Sequence, residues 1–540
     1  MNRIRPGVRF SILPIFMATV VAAIFAGAGY VRYAPPPLMD SSGVDSDYSL
    51  DKIVSTLELL VGDGIPHPAG SPHNAVVRQR IIEFAESLGC AVELQETSGV
   101  TWRTKETVPL VNVLIFVPGT DPKATIALTS HYDSTAAGPG AADDAAAVAI
   151  SLELLRHYQA NPPRNNLLFL ITDGEELGLL GAEKFVKEHP LAKTLDLVIN
   201  LEARGTSGPS CLFETGDASR WTIENYAAVA ERPTTSSLFF EVYRLLPNNT
   251  DFTHYRKLKI QGWNFAFIGR VLNYHTPNDK VQTVDRRSIQ HHADHAAGLM
   301  ARFANAAELN IKPGRVVYFD YLGVWLFWWD EQLAVPLAMV PSLFVLLGLT
   351  VCWRGGALKP GRMVWASIWS LSLMCALVLV LWATYETMRF QDVFSPPWPK
   401  YPVPILLAFW IMSLGTSLAM SRLGHALATE VFFCLAGCGL VLTWLTAFYV
   451  PGASYLFLLP TVGWGIASSW IRFDRRSAVL VAWLAVVALW FPLEPLFYDA
   501  LGFRNREILL ARLLLLNLAV APVCLASWCP VTNADSAGNG

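Results

Sequence analysis

Thr129-Ser130-His131-Tyr132-Asp133, Gly140-Ala141-Ala142-Asp143-Asp144 and Thr172-Asp173-Gly174-Glu175-Glu176 decide how this chain is read. An apolar run leads into the first stretch and an alanine-rich helical pattern follows the second. A further apolar run, 167–171, leads into the third. One histidine, several aspartates and a glutamate pair therefore stand where strands run out into loops. In a parallel α/β sheet those strand ends are where ligands and metals collect. Imidazole and carboxylate together suit a borderline divalent cation such as zinc.

The surrounding sequence alternates strand and helix patterns. Helices are expected at 71–88, 145–158, 179–189, 218–231 and 286–307, and strands at 110–117, 125–128, 167–171, 197–201 and 263–268. The first two strands read as neighbours. Such alternation predicts an α/β fold, a three-layer sandwich around a mixed, mainly parallel central sheet. It occupies residues 46–310.

The setting is a membrane. Of 540 residues 53% are hydrophobic and only 16% charged, and the excess of apolar residues lies beyond about residue 330. A net charge of −3 supplies no basic field, so nucleic acid is not an expected partner. Residues 1–45 read as a basic cytoplasmic start with Arg3, Arg5 and Arg9, an apolar anchor and a Pro35-Pro36-Pro37 linker. The alternative is a signal peptide cleaved near Ala26-Gly27-Ala28, but the apolar run is long for one.

Residues 311–333 carry Tyr318, Tyr321, Trp325, Trp328 and Trp329, read as an interfacial aromatic belt. Residues 334–528 form an all-α membrane domain of about seven helices by length and apolarity, at 334–353, 363–385, 403–421, 428–449, 453–471, 478–498 and 507–526. A tail follows at 529–540. Arg354, Lys359 and Arg362, then Arg422, then Arg472, Arg475 and Arg476 fall in alternate loops. That bias predicts a multi-pass protein with residues 46–310 on the non-cytoplasmic side, periplasmic in a bacterium and lumenal in a eukaryote. Glu386 and Glu430 lie near span ends, which gives a transport role little support. Of eight cysteines only Cys90 and Cys211 lie in the 46–310 stretch, and two residues define no disulfide framework.

His131, Asp143, Glu176, Glu202 and His275 are the candidate ligands, with Glu202 read as following its strand at once. Two histidines and three carboxylates can hold two divalent cations if one carboxylate bridges them. Metals roughly 3.5–4 Å apart can activate one water and polarise one carbonyl. Glu175, next to Glu176, is placed to serve as the base that is not itself a ligand. Each residue alone has a plainer reading: a loop histidine, an N-cap aspartate, first-turn glutamates, or a Glu202–Arg204 pair. Their combination is what points to metal. By contrast His291, His292 and His295 read as a solvated helix face, and His254 as a loop residue that can border the cleft.

The order His131-x-Asp133, Gly140-x-x-Asp143-Asp144, Glu175-Glu176-x-Gly178-x-x-Gly181, Asn200-Leu201-Glu202 and Tyr274-His275-Thr276-x-x-Asp279 resembles the co-catalytic zinc exopeptidases. Pro66-His67-Pro68-Ala69-Gly70-Ser71 is similar as well. The family includes secreted bacterial aminopeptidases, glutamate carboxypeptidase and the single-zinc glutaminyl cyclases. The added membrane region most resembles the endoplasmic-reticulum and vacuolar metallopeptidases. The resemblance covers about residues 50–308.

It implies two Zn2+ per chain, with Asp143 bridging, His131 and Glu202 completing one site, and Glu176 and His275 the other. Glu175 would be the general acid/base. Asp133 would accept the free N–H of His131, and Tyr274 would bond the oxyanion. Asp144 would be structural, in a peptide with Asp143 that some relatives hold cis. Glu202 stands where many secreted relatives have Asp, and Ala145-Ala146-Ala147 replaces the usual start of the following helix. The implied function is a membrane-anchored exopeptidase acting on a peptide substrate, an aminopeptidase before a carboxypeptidase. Glutaminyl-cyclase-like acyl transfer, or an inactive receptor-type homologue, is the alternative. Side-chain preference and oligomeric state are not specified by the sequence.

Overall fold

Strict alternation builds the centre of the fold. Val113, Ile115 and Val117, with Ile126, Leu128, Leu167, Phe169, Ile171, Ile199 and Leu201, face one side of a sheet. Leu114, Ala127, Leu168, Leu170 and Val198 face the other. Successive side chains of a strand point to opposite faces, so a sheet apolar on both must be covered on both.

The computed structural model describes residues 8–10, 13–38, 48–245, 249–390, 394–395, 398–399, 415, 427–501 and 528–530. The chain divides into two units, Arg32–Glu331 and a second formed by Met1–Val31 with Gln332–Gly540.

In the first unit the elements are α1 (Leu50–Val61), α2 (Pro72–Ser87), β1 (Val92–Val100), β2 (Thr107–Val117), β3 (Thr125–His131), α3 (Ala146–Ala160), β4 (Asn166–Thr172), α4 (Leu180–Glu188), β5 (Leu197–Gly205), β6 (Ser210–Thr215), α5 (Ser219–Ala227), α6 (Ser237–Leu245), α7 (Phe252–Lys257), β7 (Gln261–Gly269), α8 (Arg286–Ala304), β8 (Val316–Tyr321) and β9 (Trp325–Asp330). The seven-stranded sheet has the order β1-β2-β4-β3-β5-β7-β6. The central β4, β3, β5 and β7 are parallel, while β1, β2 and β6 run antiparallel to their neighbours. Helices α1, α2, α3, α5 and α8 contribute to the core on one face, and α4 and α7 to that on the other. The mixed, three-layered sandwich expected from the sequence is therefore present.

Several expectations change. Strand β4 lies between β2 and β3, so those two are not neighbours. Strand β1, a polar edge strand, escaped a reading based on apolar runs. Strand β5 continues to Gly205, which puts Glu202 inside the strand opposite Ala266 of β7. Tyr318 is buried in the core rather than displayed in a belt, because β8 pairs with β9 and packs inward. His291, His292 and His295 are buried too, not solvated. Ser210 donates its N–H to His291 Nδ1 at 3.0 Å, and the Ser210 hydroxyl lies between His292 Nδ1 at 2.8 Å and His295 Nδ1 at 3.1 Å. Cys90 and Cys211 are both free and buried.

In the second unit, two helical stretches are long and apolar enough to cross a membrane, Glu331–Arg354 and Thr429–Tyr449, among the described residues. Shorter apolar stretches are Thr19–Tyr33, Tyr455–Ser468 and Ser477–Leu493. The anticipated span at 507–526 lies outside the described residues, as do nearly all of 403–421 and of the tail. Small residues bring these helices close: a Cβ on Gly348 would meet Ser468, whose Oγ donates to Phe344 O at 2.9 Å.

Leu128 is fully buried in the central strand β3. Leu128→Ala is expected to destabilise the domain by about 2–5 kcal/mol, read as a lower thermal midpoint of the full chain in detergent.

Candidate metal centre

The carboxyl ends of β3, β4, β5 and β7 bring five candidate ligands together. His131 is the last residue of β3, in register with Thr172 of β4. Its Nδ1 lies 3.0 Å from the backbone carbonyl of Asp133 and 3.5 Å from Asp133 Oδ1. That leaves Nε2 facing Asp143 Oδ1 at 3.4 Å and Glu202 Oε2 at 3.7 Å. On the far side, His275 Nε2 lies 3.1 Å from Asp143 Oδ2 and 3.0 Å from Glu176 Oε1. Two groups that can each hold a metal ion result, His131–Asp143–Glu202 and Asp143–Glu176–His275, with Asp143 common to both.

The turn carrying Asp143 is held rather than free. Gly140 has φ of 61°, and a Cβ there would come within 2.5 Å of Asp143 O and 2.8 Å of Ser134 Cβ, so only glycine fits. The Asp143–Asp144 peptide is cis. Asp279, from the loop after β7, accepts from Ala142 N at 2.7 Å and Asp143 N at 3.2 Å. Asp144 accepts from His131 N at 3.2 Å, tying the turn to β3. His275 itself has φ of 55°, an unusual conformation for a residue with a side chain. Tyr274 stacks on its ring at a centroid distance of 3.7 Å.

Asp133 does more than the resemblance implied, its Oδ1 lying 3.5 Å from His131 Nδ1. Its carboxylate accepts from Glu175 N at 3.0 Å and Glu176 N at 3.2 Å, and the closest acceptor for His131 Nδ1 is the Asp133 backbone carbonyl. The carboxylate thereby sets the path of the glutamate pair. Asp173 was given no role in the sequence although it stands two residues before that pair. It accepts from Asn74 Nδ2 and Val111 N, each at 3.0 Å, which holds the chain just ahead of the glutamates. Asp251 was also missed; it is buried and accepts from the Thr172 hydroxyl. Its only sequence signal was its place in the loop already noted for His254, which lies half-buried on α7.

Charge is the dominant feature of the site. Burial pushes the Glu175 carboxyl well above the usual range, with Glu202 adding to it, and burial does the same to Glu202. Glu176 is raised to about 7 by burial and by Asp143. Burial opposes ionisation of Asp143 as well, but the imidazoles of His131 and His275 hold it well below the ordinary value. His275 is raised to about 10, because Asp143 and Glu176 outweigh its burial. Burial and Asp143 keep the Tyr274 hydroxyl protonated. His131 Nε2 and Glu176 Oε1 are both buried without a hydrogen-bond partner, although they face the rest of the cluster. Buried polar atoms are ordinarily paired. Two such atoms within a set of imidazoles and carboxylates fit divalent metal, zinc above all.

The model of Peptidase family M28 matches residues 112–300. A vacuolar membrane protease of Eremothecium gossypii is 31% identical over 56% of this chain and 33% of its own length. Endoplasmic reticulum metallopeptidase 1 of Mus musculus is 29% identical over 53% of this chain and 35% of its own length. The chain spans about a third of the length of these curated relatives. Among solved structures, an aminopeptidase from an Aneurinibacillus species overlays with a TM-score of 0.42 at 16% identity, covering 49% of this chain and 97% of that one. Glutaminyl cyclase of Fimbriiglobus ruber gives 0.38 at 17% identity, covering 49% and 97%.

The charge pattern sets how the metal-free domain responds to pH. His275, at about 10 against 6.5, and Glu176, at about 7 against 4.5, both bind protons more tightly folded than unfolded. The folded state then holds more protons across those windows, and stability falls as pH rises through them. Chelator-treated protein is expected to melt at progressively lower temperature from about pH 6 to pH 9. Added zinc is expected to flatten that slope by displacing the His275 proton. Melting curves at several pH values, with and without zinc, check both.

Proposed function

We propose that the protein is a membrane-anchored, two-zinc exopeptidase, most simply an aminopeptidase, with its catalytic domain on the non-cytoplasmic side of a multi-pass membrane region. One observation carries the two-metal reading. The two oxygens of Asp143 face different imidazoles, His131 at 3.4 Å and His275 at 3.1 Å, so one carboxylate serves two half-sites. His131 and Glu202 would hold one ion, and Glu176 and His275 the other. The apolar stretches of the second unit and the arginine bias of alternate loops support the membrane reading.

When bound, a pair of zinc ions supplies Lewis acidity and a nucleophile at neutral pH. The chain's own residues supply the rest. Glu175 binds no metal in this scheme: it belongs to neither ligand group, and Asp133 holds its backbone N–H and that of Glu176. Its carboxyl, raised by burial, is suited to take a proton from water and return it to the leaving amine. Tyr274, protonated and held against the His275 ring, is positioned to donate to the oxygen of the attacked carbonyl.

Glu175→Gln is expected to lower turnover by about 10²–10⁴-fold while leaving the zinc content of purified protein unchanged. Full activity in that variant sinks the assignment. Peptides with free N-termini are expected to be cleaved and their N-acetylated counterparts left intact. Cleavage of both equally excludes an aminopeptidase.

A further inference from the structure

A row of buried polar side chains runs from the metal centre across the sheet to the protein surface. Asn200 of β5 stands directly opposite Asn264 of β7, which stands opposite Glu214 of β6. Asn200 Nδ2 donates to Glu202 Oε1 at 3.2 Å and to Asn264 Oδ1 at 2.9 Å. Asn264 Nδ2 in turn donates to Glu214 Oε2 at 2.9 Å and to Thr250 Oγ1 at 2.8 Å. Glu214 Oε1 meets Arg256 Nε at 3.2 Å, and Arg256 lies half-buried over the Phe240 ring.

The direction of every bond in this row is set. Asn200 Oδ1 accepts from the Thr129 hydroxyl, and its amide group points at Glu202 and Asn264. Asn264 Oδ1 accepts from Asn200, so its own amide group must point at Glu214 and Thr250. Turning Asn200 over would set its oxygen against those of Glu202 and Asn264, and turning Asn264 over would set its amide group against that of Asn200. Asn200, Asn264 and Glu214 are almost completely buried, at 1%, 0% and 1% exposure. The alternation of these strands would be equally served by apolar residues there, as Val198 shows two positions earlier on the same face. A polar row in such a place calls for a use beyond holding the sheet.

Glu202 supplies the use. It projects from within a strand, and a glutamate has one more rotatable bond to immobilise than an aspartate. Asn200 holds one of its oxygens and leaves Oε2 to face His131 Nε2 at 3.7 Å. We propose that Asn200, Asn264, Glu214 and Arg256 are positioning residues that aim Glu202, and so set how tightly the His131–Asp143–Glu202 half-site holds its metal. The proposal rests on the two-zinc reading above.

The test is metal retention by full-length protein in detergent, with zinc remaining per chain measured against chelator concentration. Arg256→Ala removes the partly exposed end of the row and leaves the buried amides in place. Asn264→Leu removes both central amide arms. In each, one of two zinc ions is expected to leave at a chelator concentration about tenfold lower than in the parent. The other ion should leave where it does in the parent, and Arg256→Lys should restore the first. A row that serves only the fold would loosen both ions together, and that result overturns the proposal. So do two unchanged midpoints in Arg256→Ala, which decides the matter if Asn264→Leu does not fold. A parent that binds one zinc overturns the two-metal reading, and this inference with it, before any variant is measured.

Discussion

Crowding carboxylates at the buried end of a sheet costs free energy that only donors and cations can recover. Asp133, Asp143, Asp144, Glu202 and Asp251 are all buried, with Glu175 and Glu176 half-covered beside them. Part of that cost is met by backbone N–H groups. Asp133 takes those of Glu175 and Glu176, Asp144 that of His131, and Asp279 those of Ala142 and Asp143. What is left falls on Asp143, Glu176 and Glu202, which meet imidazoles instead. The site is therefore a place where cations are needed, and the surrounding structure is arranged to keep it so.

That arrangement depends on register. His131 is level with Thr172, and Glu202 with Ala266, across four parallel strands. A slip of one residue would turn Glu202 to the opposite face of the sheet and break the His131–Asp143–Glu202 half-site. The continuous apolar faces of β3, β4 and β5 resist such a slip, because it would expose or invert every core residue on them. Asp279 adds a tie of another kind. It stands four residues after His275 and clamps the turn that carries Asp143, so the two ligands of one half-site are placed by the same loop.

The ligands were legible because they sit beside strong local signals: apolar runs that end in His131 and in the Glu175-Glu176 pair, and glycine at 140. The three layers followed from the alternation of strand and helix patterns. What could not be read was anything that depends on pairing between distant segments. Strand β4 inserts between β2 and β3 because a parallel crossover returns it there, and nothing in 110–128 announces that. His291, His292 and His295 have the composition of a wet surface and are buried because Ser210 and the rings of Tyr226, Phe265 and Phe267 lie against them. The resemblance assigned Asp133 to the His131 ring, and its Oδ1 lies 3.5 Å from His131 Nδ1. The fold brings the Glu175 and Glu176 amides to it from 42 and 43 residues away.

The edge strand β1 has a consequence beyond the site. It pairs with β2 on one side, and among the described residues no strand covers its other side. An uncovered edge offers a row of free N–H and C=O groups to any other chain. Here that edge reads Val-Glu-Leu-Gln-Glu-Thr-Ser-Gly-Val, with Glu93 and Glu96 on it. Its acids repel a second copy brought alongside, and its few apolar residues give such a copy little to bury. The same polarity that hid this strand from a hydrophobic reading thus keeps copies of the domain from sticking edge to edge.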